Sequence, residues 1–155
     1  MHSIGRRRFI KLIAAPPLAL ALYPAVAKTA LDCNVQHPFM PPQHQYQAQC
    51  PVCGMVRSMW ARTWITFDRI KSVSQVCSFH CLADWCLKSG QEPINVMLSI
   101  YHQPHTAIPA RDAVIVMGST AAGTMSPISK IVFADVSKAT LFARECGGEL
   151  VDCDR

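Results

Sequence analysis

Apolar positions in this chain fall in short blocks between polar or Gly/Pro punctuation, and their spacing switches between the period of a strand and that of a helix. Met59 to Phe67 (MWARTWITF) is aromatic and β-branched, with Trp60, Trp64 and Ile65 as anchors, and predicts a strand. Asp68-Arg69 and Lys71-Ser72 mark a turn, and a second strand over about Val73 to Cys77 returns from it. His80 to Lys88 carries Leu82, Trp85 and Cys86 at helical spacing, and Ser89-Gly90 ends it.

The pattern then repeats in outline. Ile94 to Tyr101 predicts a strand, His102 to Pro109 a loop, Ala113 to Met117 a short buried strand, and Gly118 to Ser126 a loop of small residues. Lys130 to Ala134 predicts a strand and Ser137 to Cys146 a helix, with Ala139, Phe142, Ala143 and Cys146 on one face and Gly147-Gly148 as its cap. Glu149 to Asp152 predicts a last strand. The fold class is therefore α+β, built of two small sheet-plus-helix (ββα-type) modules over about 50–90 and 93–153. The halves are not alike enough in sequence to be called a repeat.

Residues 28–49 break the pattern. Pro38, Pro41 and Pro42, three glutamines from Gln43 to Gln47 and two histidines without apolar period predict a linker. His37, Met40 and His44 in it read as solvated rather than as ligands. Residues 1–27 read as an export signal: Arg6-Arg7-Arg8-Phe9-Ile10-Lys11 fits the twin-arginine pattern, an apolar stretch runs from Leu12 to Leu22, and Ala25-Val26-Ala27 offers a cleavage site. That stretch is short for a membrane span. An uncleaved N-terminus would instead tether the protein to the membrane. The expected location is the periplasm.

Removing this signal changes the charge. The chain's formal +5 comes from fifteen basic and ten acidic residues, and Arg6, Arg7, Arg8 and Lys11 are four of the basic ones. The remainder is close to neutral, which excludes a nucleic-acid partner. At 155 residues, half of them hydrophobic, the chain is long enough for a real core.

The candidate chemistry lies in Cys50-Pro51-Val52-Cys53-Gly54-Met55 and Cys77-Ser78-Phe79-His80-Cys81, a combined C-x2-C-x23-C-x3-C spacing. A tight turn brings a C-x2-C pair onto one ion, Pro51 can pre-set φ for it, and Gly54 can take the positive φ such a knuckle needs. With one thiol pair on the turn and the other at the start of a helix, the arrangement predicts a treble-clef-like metal knuckle. Thiolates and thioethers select Cu(I) or another thiophilic ion. In an exported protein eight cysteines also admit four disulfides. Cys33, Cys86, Cys146 and Cys153 are the disulfide candidates, with a buried thiol as the alternative for each, and Cys50, Cys53, Cys77 and Cys81 the metal candidates.

The series Cys50-Pro51-Val52-Cys53-Gly54-Met55, Phe67, Cys77 to Leu82, Ile108 to Ala113, Gly118-Ser119, Met125 and Ile131-Val132-Phe133 resembles the NosL family of copper-binding accessory proteins for nitrous oxide reductase. The resemblance spans about residues 50–153, and the cysteine pairs are also similar to those of TRASH-type metal-trafficking domains. It implies a periplasmic Cu(I) metallochaperone with nitrous oxide reductase and its ABC-type maturation complex as partners. It also implies Cys53, Met55 and Met125 as ligands, with Cys50 beside them. Typical members are lipoproteins and many lack the second cysteine pair. The pair Cys77/Cys81 therefore adds sulfur to the copper site or holds a structural Zn(II).

Met125 follows Ser119-Thr120-Ala121-Ala122-Gly123-Thr124, which offers nothing apolar to pack, so a ligand role explains it better than a core role. His80 is a ligand, lowers the thiol pKa values, or faces solvent; the sequence leaves these open. His102 and His105 read as loop residues. Two other functions compete. A zinc-binding interaction module explains four cysteines but gives Met55 and Met125 no task. A thiol–disulfide oxidoreductase would need a strand before CPVC and a helix after it, and here a Pro/Gln-rich lead-in and a strand are expected. The sequence reading is a metallochaperone and not an enzyme.

Overall fold

The computed structural model describes residues 33–34 and 48–152, so the signal and most of the linker lie outside the described residues. Within them the fold is α+β. One antiparallel sheet has the order β2-β1-β3-β4 and a second the order β6-β5-β7. The strands are β1 (Ile65–Arg69), β2 (Ser72–Val76), β3 (Ile94–Ile100), β4 (Gln103–Pro109), β5 (Val114–Met117), β6 (Lys130–Phe133) and β7 (Glu149–Asp152). Three α-helices accompany them: α1 (Arg57–Trp60), α2 (Phe79–Ser89) and α3 (Val136–Cys146).

Three expectations change. The stretch expected as one strand from Met59 divides, because α1 and a 3-10 turn over Ala61–Thr63 precede β1. Side-chain bonding explains the division. Arg57, only 4% exposed, donates to Gln75 Oε1 at 2.8 Å and lies over the Trp64 ring. Trp64 Nε1 donates to the same oxygen at 2.9 Å. The helical turns bring Arg57 and Trp64 round to one buried acceptor.

The expected loop from His102 is instead β4, an edge strand paired with β3. Its exposure alternates from Gln103 to Ile108, and an edge is where a strand tolerates Pro104 and Pro109. The module boundary also moves. β3 hydrogen-bonds to β1, so it completes the first sheet rather than opening the second. Each half is then a ββαβ unit. In the first, β1 is central, β2 is its hairpin partner, and α2 carries the chain across to β3 on the other side. In the second, β5, β6, α3 and β7 repeat the same path.

The second sheet separates two cores. Ile115 and Val132 pack with Cys50, Trp64, Phe67, Cys77, Cys81 and Leu98. Their neighbours Val116, Ile131 and Phe133 pack on the opposite side with Tyr101, Ala139, Phe142 and Cys146. This is the two-residue period of a strand buried on both faces.

Among the disulfide candidates, Cys33 joins Cys146, with Cα atoms 5.9 Å apart and a sequence separation of 113. Cys86 is not in a disulfide and takes the other alternative, a half-buried free thiol on α2. Cys153 lies outside the described residues.

Candidate metal centre

The knuckle is a tight loop closed by its own backbone. Cys50 N–H donates to the Met55 carbonyl at 2.9 Å, Gly54 N–H donates to the Cys50 carbonyl at 2.8 Å, and Gln49 bridges Val56. Gly54 sits at φ +78, a conformation a side chain would strain. Opposite, Cys77 leaves β2 and Ser78 caps α2, its side-chain oxygen accepting from Cys81 N–H. The cap fixes Cys81 on the first turn of α2, facing back toward Cys77.

These two elements bring the Sγ atoms of Cys50, Cys53, Cys77 and Cys81 within 4.8 Å of one another. Cys53 Sγ is 3.4 Å from Cys77 Sγ, and Cys77 Sγ is 3.5 Å from Cys81 Sγ. Cys50, Cys77 and Cys81 are buried, whereas Cys53 is half-buried and forms the open side of the cluster. Such a set can hold one soft ion, with three sulfurs walled in and one within reach of solvent.

Burial pushes the Cys81 thiol up to about 12 and raises Cys77 as well, with the neighbouring Cys53 sulfur adding to the rise of Cys77. Burial works against Cys50 too. There, backbone hydrogen bonds from Cys77, Cys53 and Val52 outweigh it and hold the thiol below its ordinary value. The thiolate form is therefore favoured more at Cys50 than at Cys77 and Cys81, where a bound metal would have to displace the protons into solvent.

The remaining candidates are placed unequally. Met55 is half-buried and packs against the core that holds the four thiols. His80 is exposed on the first turn of α2 and lines a small recess with Thr63, Ser78 and Thr124. Met125 is 39% exposed, in the left-handed conformation at φ +57, on the 118–129 loop between β5 and β6. That loop reaches the centre through Thr124: its hydroxyl meets Thr63 Oγ1 at 3.0 Å, and Thr63 Oγ1 donates to the Cys77 carbonyl at 2.7 Å. Sequence reasoning missed Thr63 and Thr124. Both are hydroxyls at least nine-tenths buried, a cost that only a partner offsets, but nothing local in the sequence marks their burial. His102 is half-buried in an aromatic group with Tyr101, Phe133 and Phe142, away from the four sulfurs. His105 is exposed on β4.

No curated protein matches the chain. Among solved structures the chain is similar to the copper chaperone NosL from Shewanella denitrificans. The match has a TM-score of 0.57 and 21% identity, and covers 74% of this chain and 96% of that one. At that identity the likeness is one of fold. The NosL family model matches residues 41–155, most of the chain and all of the cysteine centre, and the chain belongs to the NosL family.

Proposed function

We propose that the protein is a copper chaperone that carries Cu(I) on its cysteine centre and delivers it for the maturation of nitrous oxide reductase. The observation that carries this reading is the four-sulfur cluster with a single open side at Cys53. Soft donors fit Cu(I), and family membership together with a fold shared with a copper chaperone supports the assignment. Cys50 and Cys53 receive the ion, Met55 and Met125 supply thioether sulfur, and Cys53 is the ligand an acceptor's donor displaces first. Transfer is ligand exchange and no bond of a substrate is made or broken. Export by the twin-arginine-type signal places the protein in the periplasm, beside the ABC-type maturation complex.

Burial of Cys50, Cys77 and Cys81 favours a second reading, a resident Zn(II) held by four thiolates. One experiment separates the two: anaerobic Cu(I) titration of the reduced protein against a chromophoric competitor, with metal analysis of the purified chain. One tightly bound copper, weakened by Met125→Ala and passed to copper-free nitrous oxide reductase, supports delivery. Co-purifying zinc that Cu(I) does not displace, with no effect of Met125→Ala, supports the structural site.

A further inference from the structure

The 118–129 loop is tied at alternate residues, and two of the ties lead to the disulfide. Thr120 N–H donates to the carbonyl of Cys146 at 2.8 Å. Ala122 N–H donates to Asn34 Oδ1 at 2.9 Å, and Asn34 follows Cys33. The third tie, at Thr124, leads through Thr63 to the backbone of Cys77. The loop's base is pinched by the Ser119 and Ser129 hydroxyls at 2.8 Å and by Gly118 N–H on the Ser129 carbonyl at 3.0 Å. Ala121, between two ties, is buried in the second core. The loop is thus strung from the Cys33–Cys146 bond at one end to the thiol centre at the other, and Met125 follows directly on the last tie.

Met125 holds a left-handed backbone that a non-glycine residue leaves unless its surroundings impose it. Ala122 and Thr124 are the ties nearest to it. Asn34 is itself held by the neighbouring disulfide and by Tyr101, whose hydroxyl donates to the Cys33 carbonyl at 3.0 Å.

We propose that Asn34 and Thr124 are positioning residues for Met125, and that the Cys33–Cys146 disulfide, acting through Asn34 and Thr120, sets how firmly that thioether is presented to the copper centre. The inference rests on the reading of Met125 as a copper donor. The bond lies outside the metal site and holds the loop in register from its far end.

The test is a set of double-mutant cycles on the full chain. Cu(I) affinity is measured by anaerobic competition for the parent, Asn34→Ala, Thr124→Val, the paired Cys33→Ser/Cys146→Ser variant, Met125→Ala, and each of the first three combined with Met125→Ala. Asn34→Ala keeps the disulfide, so it reads positioning even where the paired cysteine variant folds poorly. Each of the three changes is expected to weaken Cu(I) binding about tenfold, the scale of outer-shell effects on a metal site. Each is expected to have no further effect once Met125 is alanine. Equal weakening with and without Met125 would overturn the inference, since it would mark a general loosening of the fold. Weakening by Met125→Ala alone, with Asn34→Ala and Thr124→Val at parental affinity, overturns it while leaving the donor role intact. Parental affinity in Met125→Ala removes the donor reading, and the inference with it.

Discussion

Residues 65–100 and 114–152 follow one path, from central strand to hairpin partner to an eleven-residue helix to a return strand, yet they are held together by different means. Both helices are entered through a two-residue link, and both have a cap whose side chain accepts from the amide three residues on: Ser78 from Cys81, and Asp135 from Lys138. Aligned on these caps, the positions of Cys77 and Cys81 are taken by Ala134 and Lys138 in the second unit. The second unit thus has the frame of the metal site without its donors. In their place α3 buries Ala139, Phe142 and Cys146, and Cys146 is bonded to Cys33. The hairpin connections also differ, with two residues between β1 and β2 and the 118–129 loop between β5 and β6. One topology therefore serves as a coordination frame in the first unit and as a cross-linked support for a long loop in the second.

The comparison breaks first at the thiols. Cys77→Ser is expected to lower metal affinity by more than about a hundredfold, beyond the range seen for outer-shell partners, and to leave the second unit folded. Metal titration beside near-ultraviolet circular dichroism would show this, and concerted loss of both units' signals would contradict it. The same thiols give the first unit a pH signature. A thiol whose folded pKa lies above its unfolded value of 9.0 adds stability below that value, and the contribution is lost as pH rises toward the folded value. Cys81, pushed up to about 12, therefore makes the metal-free protein less resistant to urea between pH 9 and about 12, with Cys77 acting in the same direction, whereas the lowered Cys50 acts below pH 9, where it makes stability rise with pH. The pH slope of the urea midpoint should flatten in Cys81→Ala.

The counterpart in the second unit is the disulfide. Closing a loop across 113 positions stabilises by about 5 kcal/mol in the chain-entropy limit, and about 2–5 kcal/mol is the usual cost of removing such a bond. Cys33→Ser/Cys146→Ser should lower the unfolding midpoint accordingly and still take up one equivalent of metal, though more weakly. The smallest effects sharpen the parallel between the helices. Ser78→Ala and Asp135→Ala should each cost about 1 kcal/mol for the lost cap. Only Ser78→Ala should also weaken metal binding, because only that cap orients a donor.

The thiol pairs were legible in the sequence because their spacing is local, and so were the helix from His80 and the one ending at Cys146, whose apolar positions keep helical period. The rest depended on contacts between distant residues. Arg57, Trp64 and Gln75 turn an aromatic run that reads as a strand into helical turns, and no window of sequence contains the bonds responsible. His102 to Pro109 reads as a loop because its prolines mask an edge strand, whose pairing is supplied by β3. The unit boundary misled for the same reason, since β3 is assigned by its hydrogen bonds to β1 rather than by its composition. The tie from Thr124 to Thr63 crosses 61 positions and had no local signal.

The placement of Ile115 and Val132 on one side of the second sheet, and of Val116, Ile131 and Phe133 on the other, has a consequence for amide hydrogen exchange. β5 hydrogen-bonds to strands on both sides and is packed on both faces, so its amides open only when both cores give way. Metal on the knuckle, by raising the free energy of that global opening, should slow exchange along β5 although no residue of β5 offers it a ligand. The Met55 carbonyl bond of Cys50 can open locally, and its exchange should respond to metal through the loop itself. The central strand of the unit without thiols is thus where occupancy of the thiol site would be recorded as cooperativity.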